Sequence, residues 1–82
     1  MSITVYTKPN CQPCRRTKLL IDRAGVAYEE VDITQDPKVF EAIRELGYAQ
    51  APVVVVRPEG RDEDIHWSGL RADMIDQFIG AA

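Results

Sequence analysis

The stretch Thr7-Lys8-Pro9-Asn10-Cys11-Gln12-Pro13-Cys14 contains both cysteines of this 82-residue chain, three residues apart. The residues before it, 3–7, are β-branched or aromatic and predict a strand. The residues after it, 15–24, predict a helix, and Pro13 suits the first helical turn because its missing N–H costs nothing there. The cysteine pair therefore stands where a strand ends and a helix begins.

A helix N-terminus favours a thiolate over a thiol, because its first amides lack partners and the helix dipole places positive charge there. We expect Cys11 to occupy the N-cap with its sulfur exposed, and Cys14 to lie one turn later within disulfide reach. Lys8 either adds a cation that favours ionised Cys11 or is a solvated loop lysine. The spacing indicates a redox dithiol in which Cys11 attacks as the thiolate and Cys14 is the resolving thiol.

Two other interpretations of the cysteine pair are weaker. A structural disulfide gains stability by closing a long loop, and this loop is minimal. A zinc site needs three or four ligands, and His66 is the one histidine that could be added to the pair. We therefore expect no metal site, and we expect His66 to be an ordinary strand residue.

Composition bounds the possible functions. We expect one domain over residues 1–82, with the modest core of a small chain. A net charge of −3 argues against a general nucleic-acid binder. No apolar run approaches the roughly 20 residues of a membrane span, and the N-terminus lacks a signal-peptide pattern. We expect a cytoplasmic location, because a reactive dithiol suits a reducing compartment. We also expect a monomer without nucleic-acid or membrane partners.

Hydrophobic patterning predicts four strands and three helices. The strands are expected at residues 3–7, 26–33, 53–56 and 64–67. The helices are expected at 15–24, at 36–47 with Asp36 as N-cap and Gly47 as the stop, and at 71–79. The inward-facing helix residues are expected to be Thr17, Leu20, Ile21 and Ala24; Val39, Phe40, Ile43 and Leu46; and Ile75, Phe78 and Ile79. A polar hairpin turn at 57–63 would make the last two strands antiparallel, whereas the first two, joined by a helix, should be parallel with a right-handed crossover.

The order β-α-β-α-β-β-α, with Cys-x-x-Cys at the first strand–helix junction, resembles the thioredoxin fold in its short, glutaredoxin-like form. This is an α/β fold with a four-stranded mixed sheet flanked by three helices, and the resemblance covers the whole chain. It implies a cis bond between Ala51 and Pro52. Three segments look like NrdH-redoxins: Ile-Thr-Val-Tyr-Thr-Lys-Pro at 3–9, Gln-Ala-Pro-Val-Val at 50–54, and His-Trp-Ser-Gly-Leu-Arg-Ala-Asp-Met-Ile at 66–75. The Trp-Ser-Gly part is the most specific.

The resemblance implies a dithiol–disulfide oxidoreductase that reduces class Ib ribonucleotide reductase. It also implies that thioredoxin reductase, using NADPH, supplies the electrons, and that the Cys11–Cys14 disulfide serves in place of a bound cofactor. Ala51 and Pro52 should flank the thiol and offer backbone groups to an extended substrate strand. The residues expected to contact a partner are Lys8, Gln12, Pro13, Ala51, Pro52, Trp67, Ser68, Gly69 and Arg71.

Some of these expectations have alternatives. Trp67 could instead be a core residue that ends the fourth strand. Arg71 lies near a helix N-terminus, where a cation is disfavoured, which hints at a hydrogen-bonding or docking role. A basic run could steer an acidic partner or could simply be a solvated helix face. That run comprises Arg15, Arg16 and Lys18.

The chain departs from the NrdH pattern at two places. Gln12-Pro13 stands where the family more often has Val-Gln, and Leu70 and Ala72 stand where an aromatic residue and a proline are common. The first strand also lacks the buried carboxylate usual in thioredoxins, so the sequence names no base for Cys14. Two other functions stay open: a glutaredoxin or mycoredoxin that uses a low-molecular-weight thiol, and an iron–sulfur carrier with ligands from a second chain or outside thiols.

Overall fold

The computed structural model describes residues 1–60 and 62–80, and its seven elements follow the predicted order. The strands are β1 (Ser2–Thr7), β2 (Glu29–Asp32), β3 (Val53–Arg57) and β4 (Ile65–Ser68). The helices are α1 (Gln12–Arg23), α2 (Pro37–Glu45) and α3 (Ala72–Phe78). Residue 61, part of the predicted polar turn, lies outside the described residues. None of the described helices is long and apolar enough to cross a membrane.

The four strands form one mixed sheet in the order β2-β1-β3-β4. β1 pairs in parallel with β2, and β3 pairs antiparallel with both β1 and β4. Strand β3 is central, and its valines Val53, Val54 and Val56 are almost fully buried. The predicted α/β class, the parallel first pair and the antiparallel last pair are therefore confirmed.

Strand β2 is shorter than predicted at both ends, because it begins at Glu29 and not at residue 26, and ends at Asp32 and not at residue 33. It lies at the edge of the sheet, and its pairing with β1 starts where Thr4 faces Glu29. Val26 and Tyr28 precede this pairing and pack against the core from outside the strand. Their apolar character thus reflects burial and not strand formation.

The N-termini of α1 and α2 are both capped by side chains. Helix α1 begins at Gln12, directly after its predicted N-cap Cys11 and with Pro13 in its first turn, whereas the span 15–24 given by the hydrophobic pattern starts three residues later. Helix α2 has the predicted cap, since the Oδ1 atom of Asp36 accepts the backbone N–H of Lys38 at 2.9 Å. In α1 the Cys11 sulfur accepts the Cys14 N–H, one of the first backbone donors that have no partner within the helix.

The main core lies between the sheet and the α1–α3 layer. Ile21 of α1 and Ile75 of α3 pack with Val54, Val56 and Trp67 from the sheet. On α2 the prediction was wrong for two residues, because Phe40 is 44% exposed and Leu46 is 47% exposed, while Ile43 is buried. The reason is that Phe40 and Leu46 line two separate surface grooves instead of facing another helix.

Candidate redox-active site

Cys11 and Cys14 are joined by a disulfide at the N-terminus of α1, with their Cα atoms 5.2 Å apart. The backbone N–H of Cys14 points at the Sγ atom of Cys11, 3.2 Å away. The predicted N-cap position of Cys11 is therefore confirmed. When the disulfide is reduced, the same N–H can stabilise a thiolate on Cys11, because amides at a helix N-terminus favour negative charge.

Both sulfur atoms are largely covered in this disulfide form. Cys11 is 5% exposed and Cys14 is 2% exposed, so the expectation of an exposed Cys11 sulfur was wrong. The cover comes from the loop before β3, because the carbonyl oxygen of Ala51 lies 3.8 Å from the Sγ atom of Cys11. Ala51 and the two cysteines form a small buried cluster of their own.

The loop that covers Cys11 is fixed by the segment after β4. The Ala51–Pro52 bond is cis, as the resemblance implied. The Ser68 hydroxyl donates to the Gln50 carbonyl at 3.3 Å, and the Gly69 N–H donates to the Pro52 carbonyl at 2.8 Å. Gly69 has φ +85°, a conformation that other residues rarely adopt. Ser68 and Gly69 thus lie behind the loop that faces the disulfide, and their contact with a partner stays a prediction.

Trp67 lies in the core, which is the alternative that the sequence left open. It is 3% exposed, and its ring stacks on that of Phe78 with centroids 6.3 Å apart. The cause is strand alternation, because Trp67 faces Val54 across the β3–β4 pair on the side that α1 and α3 cover. Its side chain therefore presents almost no surface to a partner.

Arg71 occupies the N-cap position of α3 without a capping hydrogen bond from its side chain, and Asp73 relieves its local conflict with the helix dipole. The Nε and Nη2 atoms of Arg71 donate to the two carboxylate oxygens of Asp73, at 3.1 and 2.9 Å. This hydrogen-bonded pair lowers the pKa of the Asp73 carboxyl, chiefly through Arg71. Asp73 also places negative charge in the first turn of α3, where the dipole favours it.

A cavity of about 350 Å³ opens beside the disulfide, between α1 and the carboxyl ends of β1 and β2. Within it, the Oε2 atom of Glu30 accepts two hydrogen bonds, from the hydroxyl of Thr7 at 3.0 Å and from the ammonium of Lys18 at 2.9 Å. The hydrogen bond from Lys18 is the main cause of a lowered pKa for Glu30. Thr7 is buried, and both cysteines line the same cavity.

Sequence reasoning missed this group of Thr7, Lys18 and Glu30. Lys18 was assigned to the basic run, and that run divides in the structure: Arg15 lines the cavity, Lys18 is paired, and Arg16 is exposed. The spacing of Lys18 four residues after Cys14 was the available signal. Asn10 was also missed, although its φ of 58° belongs to a left-handed turn that asparagine tolerates better than most residues.

A second, more apolar groove of about 230 Å³ lies on the other side of Ala51. Phe40 and Tyr48 contribute aromatic surface, and Lys8 and Arg44 contribute positive charge. Neither cation has an ion-pair partner within residues 1–60 and 62–80. This groove therefore reaches the loop that touches Cys11.

The remaining predicted site residues lie close to the pair or are accounted for by local contacts. Gln12 and Pro13 are exposed in the first turn of α1, and Lys8 is exposed and lines both cavities. His66 forms a 2.7 Å hydrogen bond between its Nδ1 atom and the Tyr48 hydroxyl. Among the described residues, no group of three or more His, Cys, Asp and Glu side chains is placed to hold a metal ion.

Comparison with known proteins agrees with this geometry. The glutaredoxin family model matches residues 3–60. The glutaredoxin-like protein NrdH of Escherichia coli strain K12 is 36% identical over 78 residues, which cover 95% of this chain and 89% of the relative. The corresponding Salmonella typhimurium protein is 38% identical with the same coverage. The chain belongs to the glutaredoxin-like NrdH family. The solved structure of the Escherichia coli NrdH-redoxin matches 100% of both chains with a TM-score of 0.83 and 34% identity.

Family membership and geometry agree on the basic activity. The predicted resemblance to NrdH-redoxins is confirmed, and so is the thioredoxin-like fold. The protein is a thiol–disulfide oxidoreductase whose redox-active pair is Cys11 and Cys14.

Proposed function

We propose that this redoxin carries electrons from NADPH, through thioredoxin reductase, to protein disulfides, and that its principal target is class Ib ribonucleotide reductase. The observation that carries the proposal is the Arg71–Asp73 ion pair at the start of α3. Glutathione-dependent glutaredoxins use small residues and an acidic side chain at that place. A cytoplasmic location is part of the proposal, because the dithiol must be regenerated in a reducing compartment.

The ion pair disfavours glutathione as the reductant. Arg71 can only donate hydrogen bonds, and it occupies both oxygens of the adjacent Asp73 carboxylate. The free ammonium of glutathione would therefore have to compete with Arg71, a like charge, for the Asp73 carboxylate. A charge-assisted hydrogen bond of this kind is worth about 1.5–3 kcal/mol, or roughly 10- to 150-fold in affinity. A protein reductase that docks by surface complementarity does not depend on that bond.

The groove beside Ala51 supports a polypeptide as the oxidised partner. Aromatic surface from Phe40 and Tyr48 lines the same groove as the two cations, Lys8 and Arg44. An extended segment that carries an apolar side chain and a carboxylate near its disulfide fits this arrangement. The Escherichia coli NrdH-redoxin is described as having a thioredoxin-like activity profile, which supports the same assignment.

The proposed cycle has two exchange steps. The Cys11 thiolate attacks one sulfur of the target disulfide, so a mixed disulfide forms and the other target sulfur leaves as a thiolate. Cys14 loses its proton and attacks the Cys11 sulfur, which releases the second target thiolate and closes the Cys11–Cys14 disulfide. Two electrons from NADPH, delivered by the reductase, and two protons then restore the dithiol.

The test compares two coupled assays that follow NADPH consumption with a protein disulfide as substrate. We expect fast turnover with thioredoxin reductase and slow turnover with glutathione and glutathione reductase. In Arg71→Asp the ammonium partner is restored, so turnover in the glutathione assay should rise. Arg57→Asp is the matched control, because Arg57 makes a similar two-point contact with Asp64 away from the disulfide.

Faster turnover of the native protein with glutathione would contradict the proposed reductase and favour the glutaredoxin alternative. The target is tested separately with purified class Ib ribonucleotide reductase, NADPH and thioredoxin reductase. Deoxyribonucleotide formation should require this redoxin and should be absent with Cys11→Ser. Equal formation with the native protein and Cys11→Ser would reject the target.

A further inference from the structure

The proton of Cys14 has no obvious partner in the strand that precedes the cysteine pair. Reduction of the disulfide leaves two sulfur atoms, and Cys14 must hold a proton whenever it is the resting thiol. Strand β1, Ser2–Thr7, contains no carboxylate. Cys14 is 2% exposed, yet it lines the 350 Å³ cavity that also contains Thr7, Lys18 and Glu30. The charged groups of this cavity are therefore the ones placed nearest to Cys14 on this side of the pair.

Lys18 is the cation on α1 that lies one turn after Cys14. Residues four apart share a helix face, and helical side chains lean toward the N-terminus, so Lys18 leans over the turn that contains Cys14. An unpaired ammonium beside a thiol would favour the thiolate. Both thiols of the pair would then ionise readily, and Cys14 would compete with Cys11 as the nucleophile.

The Lys18 ammonium is in fact paired, because Glu30 on strand β2 accepts its hydrogen bond. Its Oε2 atom lies 2.9 Å from the Nζ atom of Lys18, and the buried Thr7 hydroxyl anchors the same oxygen at 3.0 Å. The side chains of Lys18 and Glu30 are 27% and 42% exposed, so salt screens their charges only in part. The other charged groups that line the cavity are Lys8 before α1, Arg15 on α1 and Asp32 on β2.

We propose that Glu30 is a positioning residue that keeps Cys14 as a thiol: it holds the Lys18 ammonium at strand β2 and offsets its charge. Cys11, which caps the helix, then provides the one thiolate of the reduced pair. The inference concerns the cysteine pair itself, so it holds whichever reductase and target the redoxin uses. It also identifies the parallel β1–β2 edge, and not β1 alone, as the source of the carboxylate near Cys14.

The test measures Cys14 as the sole thiol, in Cys11→Ser, where the new serine remains a good N-cap. The rate of alkylation is followed against pH. Adding Glu30→Gln should lower the midpoint by at least about half a pH unit, because the unpaired Lys18 then favours the thiolate. Adding Lys18→Met should raise the midpoint, because the unpaired Glu30 carboxylate then faces the thiol. The two substitutions thus have opposite expected signs.

Two matched controls accompany these variants. Glu29→Gln removes the same charge one residue earlier on β2, where the side chain lines a different cavity. Arg16→Met removes a cation from the exposed face of α1. Neither control should move the midpoint. Thermal unfolding of each variant reports any general loss of stability.

A purely structural ion pair gives a different pattern. Both Glu30→Gln and Lys18→Met would then lower the melting temperature and leave the alkylation midpoint unchanged. That result overturns the proposal, as does a shift of the same sign in both variants, or a shift in Glu29→Gln as large as that in Glu30→Gln. If one of the two variants does not fold, the sign of the other still decides the proposal.

Discussion

At the scale of single residues, the two cysteines differ in what surrounds their sulfur atoms. Cys11 receives the Cys14 N–H and faces the Ala51 carbonyl, beside the groove that Phe40 lines. Cys14 lies within the first turn of α1 and faces the cavity of Thr7 and Glu30. We therefore propose that Cys11 meets a partner first and that Cys14 reaches the partner through Cys11.

The first prediction follows from this difference. Cys14→Ser should trap a stable mixed disulfide with an oxidised target, because Cys11 can attack but no thiol can resolve the product. Cys11→Ser should trap none. The product is detected by non-reducing electrophoresis and mass spectrometry. Equal trapping by both variants, or trapping only by Cys11→Ser, would reverse the assigned roles.

The second prediction concerns ionisation of Cys11. We expect the pKa of its thiol to lie below the free value of about 8.5, because the helix N-terminus and its amides stabilise the thiolate. The measurement is the alkylation rate against pH in Cys14→Ser. Lys8→Met should raise the midpoint, whereas Lys38→Met, on exposed α2 surface, should not. A midpoint at or above the free value in Cys14→Ser without further substitution would show that the helix terminus does not act in this way.

At the scale of elements, the N-cap of α2 carries the third prediction. The Asp36 side chain satisfies the Lys38 N–H, so Asp36→Ala should reduce the free energy of unfolding by about 1 kcal/mol. Urea unfolding followed by circular dichroism measures the change. Glu41→Ala, on the same helix but without a capping contact, is the control. An equal loss in both variants would mean that the cap contributes nothing specific.

Local signals predicted the order and type of every element, and most of their ends to within about one residue. Asp36-Pro37 marked the start of α2, and four successive valines marked β3 as central. The hydrophobic pattern failed for apolar residues that line a surface groove or lie in a loop and do not pack between the sheet and a helix. Phe40 and Leu46 have helical spacing but line grooves, and Val26 and Tyr28 are apolar but precede the β1–β2 pairing. These outcomes depend on tertiary contacts that spacing does not encode.

The site, like the fold, was predictable from the sequence where it depends on neighbouring residues and not where it depends on tertiary contacts. The cysteine pair, its helix cap and the Ala51–Pro52 loop all follow from contiguous motifs. The Thr7–Lys18–Glu30 group does not, because it needs the parallel register that places Val5 opposite Glu30, together with the facing side of α1. The burial of Trp67 likewise depends on which face of β4 the helices cover.

At the scale of the whole molecule, acid should destabilise the fold. The pKa values of Asp64, Asp73 and Glu30 are lowered, in each case chiefly by hydrogen bonds from a cationic partner, and that of Asp32 is lowered by its hydrogen bonds to Thr34. A carboxylate with a lowered folded pKa contributes stability that is complete above its unfolded value. The contribution is lost as the pH falls through the folded value.

The fourth prediction is therefore a fall in the free energy of unfolding as the pH drops below about 4.5, near the unfolded pKa values of these side chains. Urea unfolding at a series of pH values measures it. Asp64→Asn removes one linked proton and should make the fall shallower. Asp76→Asn, on the exposed surface of α3, should leave it unchanged. A free energy of unfolding that does not change between about pH 6 and about pH 3 would contradict the role of these carboxylates.

The buried indole of Trp67 has a practical consequence. The chain contains one tryptophan, and it lies in the core against Phe78, with Ile21 of α1 and Ile75 of α3 in the same cluster. Unfolding must transfer this ring from apolar surroundings to water, so its emission spectrum should shift to longer wavelength from a single known position. No substitution named for the tests removes the ring. The fluorescence of Trp67 thus reports on the contact of the sheet with helices α1 and α3.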